Sequence, residues 1–430
     1  MGSTKDIVNE GNFRNWHKSP TADEMGRGAM AASGRFSVAD LKKKIPDQTI
    51  KNKAEILTMT TAAFFEYFKQ RNPDIETCFV TLLDRDGKET DLTRLLDKGD
   101  TTNLILMKLV HTPETYCGND LKAYRKALTS GKLQCAVADI ESIYRQGFPL
   151  GSSTFEKIFK EAGMLHYYEA ASTYSDTVEY LNVIRRALSD AKQQGRKTKA
   201  MDDLLAKYCL KSVPNPGFLL DKIVYDSTTK FEKAGDRPIT KEEEQKLSGL
   251  DKEGYDKYTQ DIFPRFCQAQ VDFVRARGMI SYDGKGEVAA YKRKPLITDY
   301  ACNIDENRNM IPVSRDGELW AVPTNKEIQR AVFRQNGVYA AKAIAQQKAM
   351  DNNDPENWIN HFDDAIRAKR IDLEEVTRHS CELMAYAAAE VANRTLGRDV
   401  FESKPMQSWL EDFMPFASKV YVEGESVLER

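Results

Sequence analysis

The sequence predicts a mainly α protein with two helical lobes, and three observations lead to this prediction. Apolar residues recur at helical spacing over most of residues 114–277 and again over 325–396. Short runs of strand character are confined to residues 77–110, where we expect a small β-hairpin in the N-terminal half, and to 278–323, where we expect a join rich in loops and hairpins. A chain of 430 residues is long enough to form more than one lobe.

The domain organisation follows from changes in composition along the chain. Residues 1–35 show no sustained period and are predicted to form a flexible N-terminal arm. Residues 36–213 are predicted to form the N-terminal helical lobe with the β-hairpin, and residues 218–398 the C-terminal helical lobe, with a proline-rich boundary between them. Residues 399–430 hold seven acidic and three basic residues and are predicted to form an acidic C-terminal arm.

The N-terminal lobe begins with one strong helix and the hairpin. Ala54 to Gln70 is predicted to be a helix with an aromatic, buried face, and Thr77 to Leu83 and Asn103 to Val110 are predicted strands. Asp86-Gly87-Lys88, with Pro73-Asp74 before it, also fits the loose pattern of metal-dependent nucleases. Since the Asp-Gly pair falls where a turn is expected, we interpret it as a turn.

The rest of the chain is predicted to be mostly helical. Between residues 114 and 277 the predicted helices include Leu133–Arg145, Lys199–Tyr208, Phe218–Phe231 and Tyr255–Arg277. The join carries two short strand-like runs, Glu287–Tyr291 and Glu318–Val322. After it we predict helices at Asn325–Met350, Trp358–Ala368, Leu373–Leu396 and Pro405–Val420.

Composition limits the classes of function. Hydrophobic residues at 41% and charged residues at 30% are typical of a soluble globular protein, and no stretch approaches the roughly 20 apolar residues of a membrane span. The seven scattered cysteines include no C-x-x-C pair, which fits a reducing compartment. The chain has no P-loop, dinucleotide-binding turn, zinc-protease helix or nucleophile elbow, and its five histidines are isolated. We therefore predict that it is not an enzyme and that it needs no cofactor or metal.

The segment Asn325–Met350 is predicted to be one amphipathic helix with a basic side. Its apolar side consists of Ile328, Val332, Val338, Tyr339, Ala349 and Met350. Its basic side consists of Lys326, Arg330, Arg334 and Lys348, with the small residues Gly337 and Ala341 between them. Small residues leave the helix surface low, so that an anionic strand can lie against it while the cations reach the phosphates.

Further cations close to this segment in sequence suggest one basic surface. The predicted RNA-binding residues are Lys326, Arg330, Arg334, Lys348, Arg275, Arg277, Lys292, Arg293, Lys294, Arg308, Arg315, Arg185 and Arg186. With a formal net charge of −2, the chain must balance such a surface with acidic residues elsewhere. The Lys292-Arg293-Lys294-Pro295 run also resembles a minimal nuclear-import signal.

In size and layout the chain resembles the nucleocapsid or coat proteins of plant negative-strand RNA viruses, of the ophiovirus or plant rhabdovirus kind. The resemblance lies in a chain of 48.8 kDa with helical blocks, terminal arms and a basic join, without a diagnostic motif. It implies that two lobes clamp single-stranded RNA independently of sequence, and that the arms reach neighbouring copies to build a ribonucleoprotein filament. It also implies a viral polymerase or phosphoprotein as a partner and a location in the virion and host cytoplasm, or the nucleus.

Two other classes of function compete with RNA encapsidation. One is a DNA-recognition protein or nuclease-associated enzyme, in which the loops of the join act as the wing of a winged helix. The other is a helical scaffold or regulator that binds no nucleic acid. Binding that depends steeply on salt and little on sequence favours encapsidation, whereas preference for one duplex favours DNA recognition.

Overall fold

The computed structural model describes residues 5–8, 17–34, 49–149, 152, 154, 199–210, 214–232, 237–354, 357–414 and 417–421. Within these ranges, helices are combined with three antiparallel sheets. The prediction of a mainly α fold with one small β-hairpin is therefore wrong, and the chain is an α/β protein. The division into two lobes with terminal arms stays a prediction.

The helices of the described ranges are mostly those that the periodicity predicts. They are α1 (Lys53–Arg71), α2 (Leu92–Lys98), α3 (Pro113–Cys117), α4 (Leu121–Ser130), α5 (Lys199–Lys207), α6 (Lys241–Ser248), α7 (Lys252–Lys257), α8 (Phe263–Arg275), α9 (Glu327–Gln335), α10 (Val338–Asp351), α11 (Ile359–Ala368), α12 (Leu373–Leu396) and α13 (Met406–Phe413). A π-helical turn at Tyr258–Ile262 connects α7 to α8.

The clearest capping signals fix the bounds of α12. Asp372 accepts a hydrogen bond from the amide of Glu375 at 3.0 Å, which satisfies one of the free amides of the first turn. Gly397 ends the helix with a φ of 68°, a left-handed conformation in which glycine meets no steric penalty. The bounds predicted for this helix are confirmed.

The first sheet has the strand order β1-β2-β5-β3-β4. Its strands are β1 (Lys5–Val8), β2 (Gly26–Ala32), β3 (Phe79–Leu83), β4 (Glu89–Thr90) and β5 (Leu104–Leu109). The predicted strands in residues 77–110 are confirmed. The predicted turn is confirmed too, because the carboxylate of Asp84 accepts from the amides of Asp86 and Lys88 at 3.0 and 2.8 Å.

Most of the second sheet consists of residues that were predicted as helices or loops, whereas the strand-like run predicted at Glu287–Tyr291 is confirmed as part of β10. Its order is β11-β10-β7-β8, and β6 also pairs with β10. Its strands are β6 (Cys135–Val137), β7 (Glu141–Phe148), β8 (Phe218–Thr228), β10 (Asp283–Tyr291) and β11 (Lys294–Thr298). The predicted helices at Leu133–Arg145 and Phe218–Phe231 are wrong, because apolar residues in such short runs fit strand and helix spacing equally well.

The third sheet shows that the join is ordered β structure. Its order is β14-β13-β12-β9, formed by β9 (Ile280–Ser281), β12 (Asn309–Arg315), β13 (Glu318–Pro323) and β14 (Ser418–Lys419). It is linked to the second sheet at Tyr282, whose carbonyl accepts from the amides of Gln146 and Gly147. At the far edge, the amide of Leu219 donates to the carbonyl of Tyr421 at 2.8 Å, so the end of the described chain also joins the two sheets.

Aromatic residues of α1 and α8 form the centre of the hydrophobic core. Phe64 is fully buried and lies edge-on to Phe266 and Phe273, each at a ring-centroid distance of 5.5 Å. Phe65 stacks on Phe79 of β3 at 5.4 Å, which fixes α1 against the first sheet. Burial of each such ring stabilises the fold by about 1.5–3 kcal/mol. The aromatic face predicted for this helix is confirmed.

The predicted single helix Asn325–Met350 is two helices. Gly337 lies between α9 and α10 with a φ of 74°, a left-handed conformation that ends the first helix. Ala341, predicted on the basic side, is fully buried, whereas Met350, predicted on the apolar side, is 52% exposed. The change of direction at Gly337 therefore breaks the continuous basic face that the helical wheel predicts.

Candidate functional site

One face of the second sheet carries charged side chains on neighbouring strands. In the strand register, Arg145 of β7 lies opposite Asp283 of β10, and Ile143 lies between Asp226 of β8 and Lys285 of β10. Residues opposite one another in adjacent strands point to the same side of a sheet, and side chains alternate along each strand. The charged residues on this face are Glu141, Arg145, Asp226, Asp283, Lys285 and Glu287.

The segment before β12 and the start of α9 supply a second row of charges against this face. Arg308 lies between Asp283 and Glu327 and contacts both carboxylates. Glu287 is left aside because it pairs with Lys230, which belongs to neither row. We call the other residues of the two rows the charged cluster, which consists of Glu141, Arg145, Asp226, Asp283, Lys285, Arg308, Lys326, Glu327, Arg330 and Arg334. It holds six cations and four carboxylates, an excess of positive charge at a partly buried place.

Alternating ion pairs run through the cluster. Arg145 donates to Asp226 at 2.9 Å and lies 3.4 Å from Asp283. Arg308 donates to Asp283 at 2.5 Å and to Glu327 at 3.0 Å. The same Glu327 oxygen accepts from Arg330 at 2.7 Å. Asp283 and Glu327 are each shared by two guanidinium groups, which holds the side chains in place.

The cluster is closed at its edges by further polar contacts. The hydroxyl of Tyr208 donates to Asp226 at 2.8 Å, and Lys207 of α5 pairs with the same carboxylate. Lys285 pairs with Glu141 at 2.8 Å. Beside it, Lys230 pairs with Glu287, and although burial alone would lower the pKa of Lys230, the Glu287 carboxylate raises it above the ordinary lysine value.

Glu327 holds the negative charge at the centre of the second row. Burial alone would raise its pKa, but the neighbouring Arg330, Arg308 and Arg334 lower the pKa of Glu327 to about 2. Its carboxylate is therefore charged over the whole physiological range. One of its oxygens has no hydrogen-bond partner within the described residues and lies 4.0 Å from Arg334.

Lys326 differs from the other cations of the cluster in having no carboxylate partner among the described residues. Among the described residues no carboxylate lies within ion-pairing distance of its amine, and no hydrogen bond of that amine is found. Burial, together with repulsion by Lys285, Arg330 and Arg308, lowers the pKa of Lys326 to about 8. An amine with such surroundings is ready to bind an anion.

The structure brings together four of the residues predicted to bind RNA. Lys326, Arg330, Arg334 and Arg308 all belong to the charged cluster, and three of them are occupied by the carboxylate of Glu327. Lys348 lies on α10 and is 3.8 Å from Asp364 of α11.

The other predicted cations do not pair with residues of the charged cluster. Arg277 stacks on Phe273 at 3.5 Å and donates to the carbonyl of Thr395. Arg315 pairs with Glu411 at 3.2 Å, and Lys292 pairs with Glu24 at 2.8 Å. Arg275 and Lys294 are exposed, and Arg185 and Arg186 lie outside the described residues.

The basic run resembling a nuclear-import signal is a hairpin turn. Lys292 and Arg293 have φ angles of 50° and 62° and connect β10 to β11. Two left-handed residues match the twist of the flanking strands, a geometry that usually selects asparagine and glycine. The run therefore has a structural role in the second sheet.

Sequence reasoning missed the carboxylates and the sheet residues of the cluster. Asp283, Lys285 and Glu287 alternate along β10, and Glu141 and Arg145 along β7. This two-residue spacing of charges was the available signal, but charges also fit a solvated helix face, and the prediction of helices at these places hid it.

The described residues offer no ready place for a metal ion. They contain no group of three or more histidine, cysteine, aspartate or glutamate side chains arranged to hold one. Each carboxylate of the cluster is instead neutralised by arginine or lysine.

A surface cavity of about 460 Å³ lies elsewhere, between the start of α1 and one face of α12. Its rim cations are already occupied, because Lys51 pairs with Glu402 at 2.8 Å and Arg378 with Glu375 at 2.6 Å. We place the candidate site in the charged cluster, since its cations outnumber its carboxylates and most of them are held in place by ion pairs.

The described residues thus hold a partly buried cluster, with more cations than carboxylates, where the second sheet meets the segment before β12 and the start of α9. In the described part of the chain no helix is both long and apolar enough to cross a membrane.

Comparison with known proteins gives similarity only at the level of structure. No family model matches the sequence, and no curated protein matches it. SAICAR-synthase from Saccharomyces cerevisiae complexed with SAICAR is 12% identical, with 92% of this chain and 96% of that chain covered and a TM-score of 0.45. SAICAR synthetase (Type-2) in complex with ADP is 12% identical, with 78% and 96% covered and a TM-score of 0.41. A SAICAR synthetase from Pyrococcus horikoshii is 11% identical, with 78% and 95% covered and a TM-score of 0.41.

The fold overturns the viral interpretation. The three antiparallel sheets replace the mainly helical layout on which the resemblance to nucleocapsid proteins rests, so that prediction is wrong. The prediction of a chain without enzymatic function, which was made with it, is wrong too. The predicted partners are wrong as well, namely single-stranded RNA, copies of the chain joined by terminal arms, and a viral polymerase or phosphoprotein. Nothing supports a location in the virion. The physical reason lies in the cations, most of which are occupied by carboxylates or aromatic rings. The DNA-recognition and scaffold alternatives gain no better support.

Proposed function

We propose that the chain is an enzyme that binds a phosphorylated small molecule at the charged cluster. The observation that carries the proposal is one amine, Lys326, that has no acceptor in the described structure and lies in a cluster where cations outnumber carboxylates. Arginine forks and a lysine amine are the groups that recognise phosphate oxygens. A phosphate dianion in the cluster offsets the excess charge.

The burial of these cations favours a small molecule over a polymer. The side chains of Arg308, Arg330 and Lys285 are 13%, 18% and 20% exposed. A polynucleotide needs cations spaced along an open surface, whereas these side chains are largely covered and can contact only a small ligand.

The arrangement also supports catalysis in addition to binding. Guanidinium groups fixed by carboxylates act as preorganised charges that stabilise negative charge developing in a transition state. An amine whose pKa lies near 8 exchanges a proton at physiological pH. We therefore assign the class of reaction as group transfer at or beside a phosphate group, with Arg308, Arg330 and Lys285 as the stabilising charges.

Calorimetric titration of the full chain with ADP, inorganic pyrophosphate and ribose 5-phosphate tests the proposal. ADP is included because one of the similar solved structures contains it. We expect at least one of these ligands to bind, and we expect Lys285→Met to weaken that binding about 10- to 100-fold, since a hydrogen bond to a charged group contributes about 1.5–3 kcal/mol.

The matched control is Lys348→Met, since Lys348 is exposed and pairs with Asp364 outside the cluster. We expect this variant to bind as the wild type does. Absence of binding to all three ligands, or equal affinity of wild type and Lys285→Met, contradicts the proposal.

A further inference from the structure

The position of Lys326 is fixed by the structure around it. Thr324 and Asn325, the two residues before it, are buried and donate to the carbonyl of Asn309 at 2.6 and 3.2 Å. The carboxamide oxygen of Asn325 accepts from the amide of Glu327 at 3.0 Å, at the start of α9. These bonds hold the backbone at Lys326 in place at the start of α9.

Every element around Lys326 presents a charge to it. Lys285 comes from β10, Arg308 from the segment before β12, and Arg330 from the next turn of α9, while Glu306 is the nearby carboxylate that opposes their effect. The three cations have carboxylate partners, which are Glu141 for Lys285 and Glu327 for both arginines. Glu327 is thus engaged by guanidinium groups. Lys326 also helps to lower the pKa of Glu327, but no carboxylate of the described residues lies within ion-pairing distance of its amine.

Such an environment disfavours the protonated amine while the cluster is empty. Burial and the three cations lower the pKa of Lys326 to about 8, so a large fraction of the amine is neutral just above that pH. A phosphate dianion beside the amine raises the pKa of Lys326 again, because an opposite charge within about 4–6 Å favours the protonated form.

We infer that Lys326 takes up a proton when a phosphate group binds at the charged cluster and releases it when the ligand leaves. The inference rests on the proposed function of this site. The proton comes from solvent and returns to it, and no covalent bond of the ligand changes in this step. Lys326 thereby makes the affinity for phosphate dependent on pH.

The direction of this dependence follows from linkage. Well below pH 8 the amine is protonated with or without ligand, so the affinity does not depend on Lys326 titration. Above pH 8 binding must recruit a proton, and the affinity falls by up to about tenfold per pH unit until the amine of the complex itself titrates.

Calorimetry in two buffers with different ionisation enthalpies measures the proton directly. At about pH 8.5, where phosphate esters are fully ionised, we expect the full chain to take up roughly 0.5–0.8 proton per ADP bound. Lys326→Arg keeps a permanent charge, so we expect it to bind ADP without proton uptake, whereas Lys348→Met takes up the same fraction as the wild type. Binding of ADP by the wild type without proton uptake, or equal uptake by Lys326→Arg, overturns the inference and leaves the proposed function standing.

A ligand-free measurement tests the same residue independently. Reductive methylation of the full chain at a series of pH values, read by peptide mass spectrometry, gives the pH midpoint for each lysine. We expect the midpoint of Lys326 near pH 8 and a higher one for Lys404, whose pKa is raised by a hydrogen bond with Tyr386. A Lys326 midpoint equal to or above that of Lys404 overturns the inference, whatever ligand the site binds.

Discussion

Replacing Glu327 by glutamine is expected to lower the free energy of unfolding by about 3–5 kcal/mol at neutral pH, since it leaves buried cations without their partner. Glu327 accepts from Arg308 and Arg330 and lies 4.0 Å from Arg334. Glutamine keeps the shape of the side chain, so the loss reports the charge and not the packing. Urea denaturation followed by circular dichroism measures the change.

The matched control is Glu375→Gln on the exposed start of α12. Glu375 also pairs with an arginine, Arg378 at 2.6 Å, but both side chains are more than half exposed. Exposed pairs contribute about 0–1 kcal/mol, so we expect little change in this variant. Similar losses in Glu327→Gln and Glu375→Gln would contradict the buried network.

The carboxylate of Glu327 also predicts how stability depends on pH. Its pKa in the folded chain is lowered to about 2 from an ordinary value of 4.5. The stabilisation is therefore complete above pH 4.5 and is lost as the pH falls from 4.5 towards 2. The wild type is expected to lose stability in this window faster than Glu327→Gln, which has no carboxyl group to protonate.

Replacing Arg145 by methionine is expected to lower the free energy of unfolding by about 3–4 kcal/mol, because the guanidinium lies between two buried carboxylates. Arg145 is 2% exposed, and Asp226 and Asp283 are 7% and 5% exposed. Asp226 keeps Lys207 and Tyr208 after the change, and Asp283 keeps Arg308, which limits the loss. The shift of the urea midpoint at constant slope measures it.

A double variant separates charge from packing at Arg145. Arg145→Met with Asp226→Asn removes the cation together with one of its two carboxylate partners, so we expect part of the loss to be recovered. The surface change Arg378→Met, which breaks only exposed pairs, should alter stability by less than about 1 kcal/mol. If Arg145→Met is no more destabilised than Arg378→Met, the buried ion pairs do not hold the second sheet as described.

The sequence predicted the helices well where capping and periodicity agree. Asp372 and Gly397 mark both ends of α12, and the aromatic spacing of α1 identifies its buried face. Such segments adopt the predicted structure because the capping residues visible in the sequence make the hydrogen bonds and backbone turns that begin and end the helix.

The second sheet could not be predicted in the same way. Tyr144 and Phe148 of β7 are buried on one face while Glu141 and Arg145 lie on the other. A run of eight residues with this composition fits a helix as well as a strand, and only pairing with β8 and β10, distant in sequence, decides between them. Tertiary contacts set the local structure here.

The candidate site was found only in part for a related reason. Positive charge alone pointed to Lys326, Arg330, Arg334 and Arg308, which do lie together. The sequence does not show that Arg308 lies beside Glu327 and Asp283, because those contacts join residues 19 and 25 positions apart. The number of cations was visible, but not how many of them remain available to a ligand.

A crystal structure of the full chain grown with tungstate, an electron-dense phosphate mimic, tests the central claim most directly. The account predicts an anomalous peak beside the amine of Lys326, within contact of Arg308 or Lys285, at neutral pH. A cluster that stays empty while tungstate occupies other basic positions, such as the exposed Arg275, would contradict it.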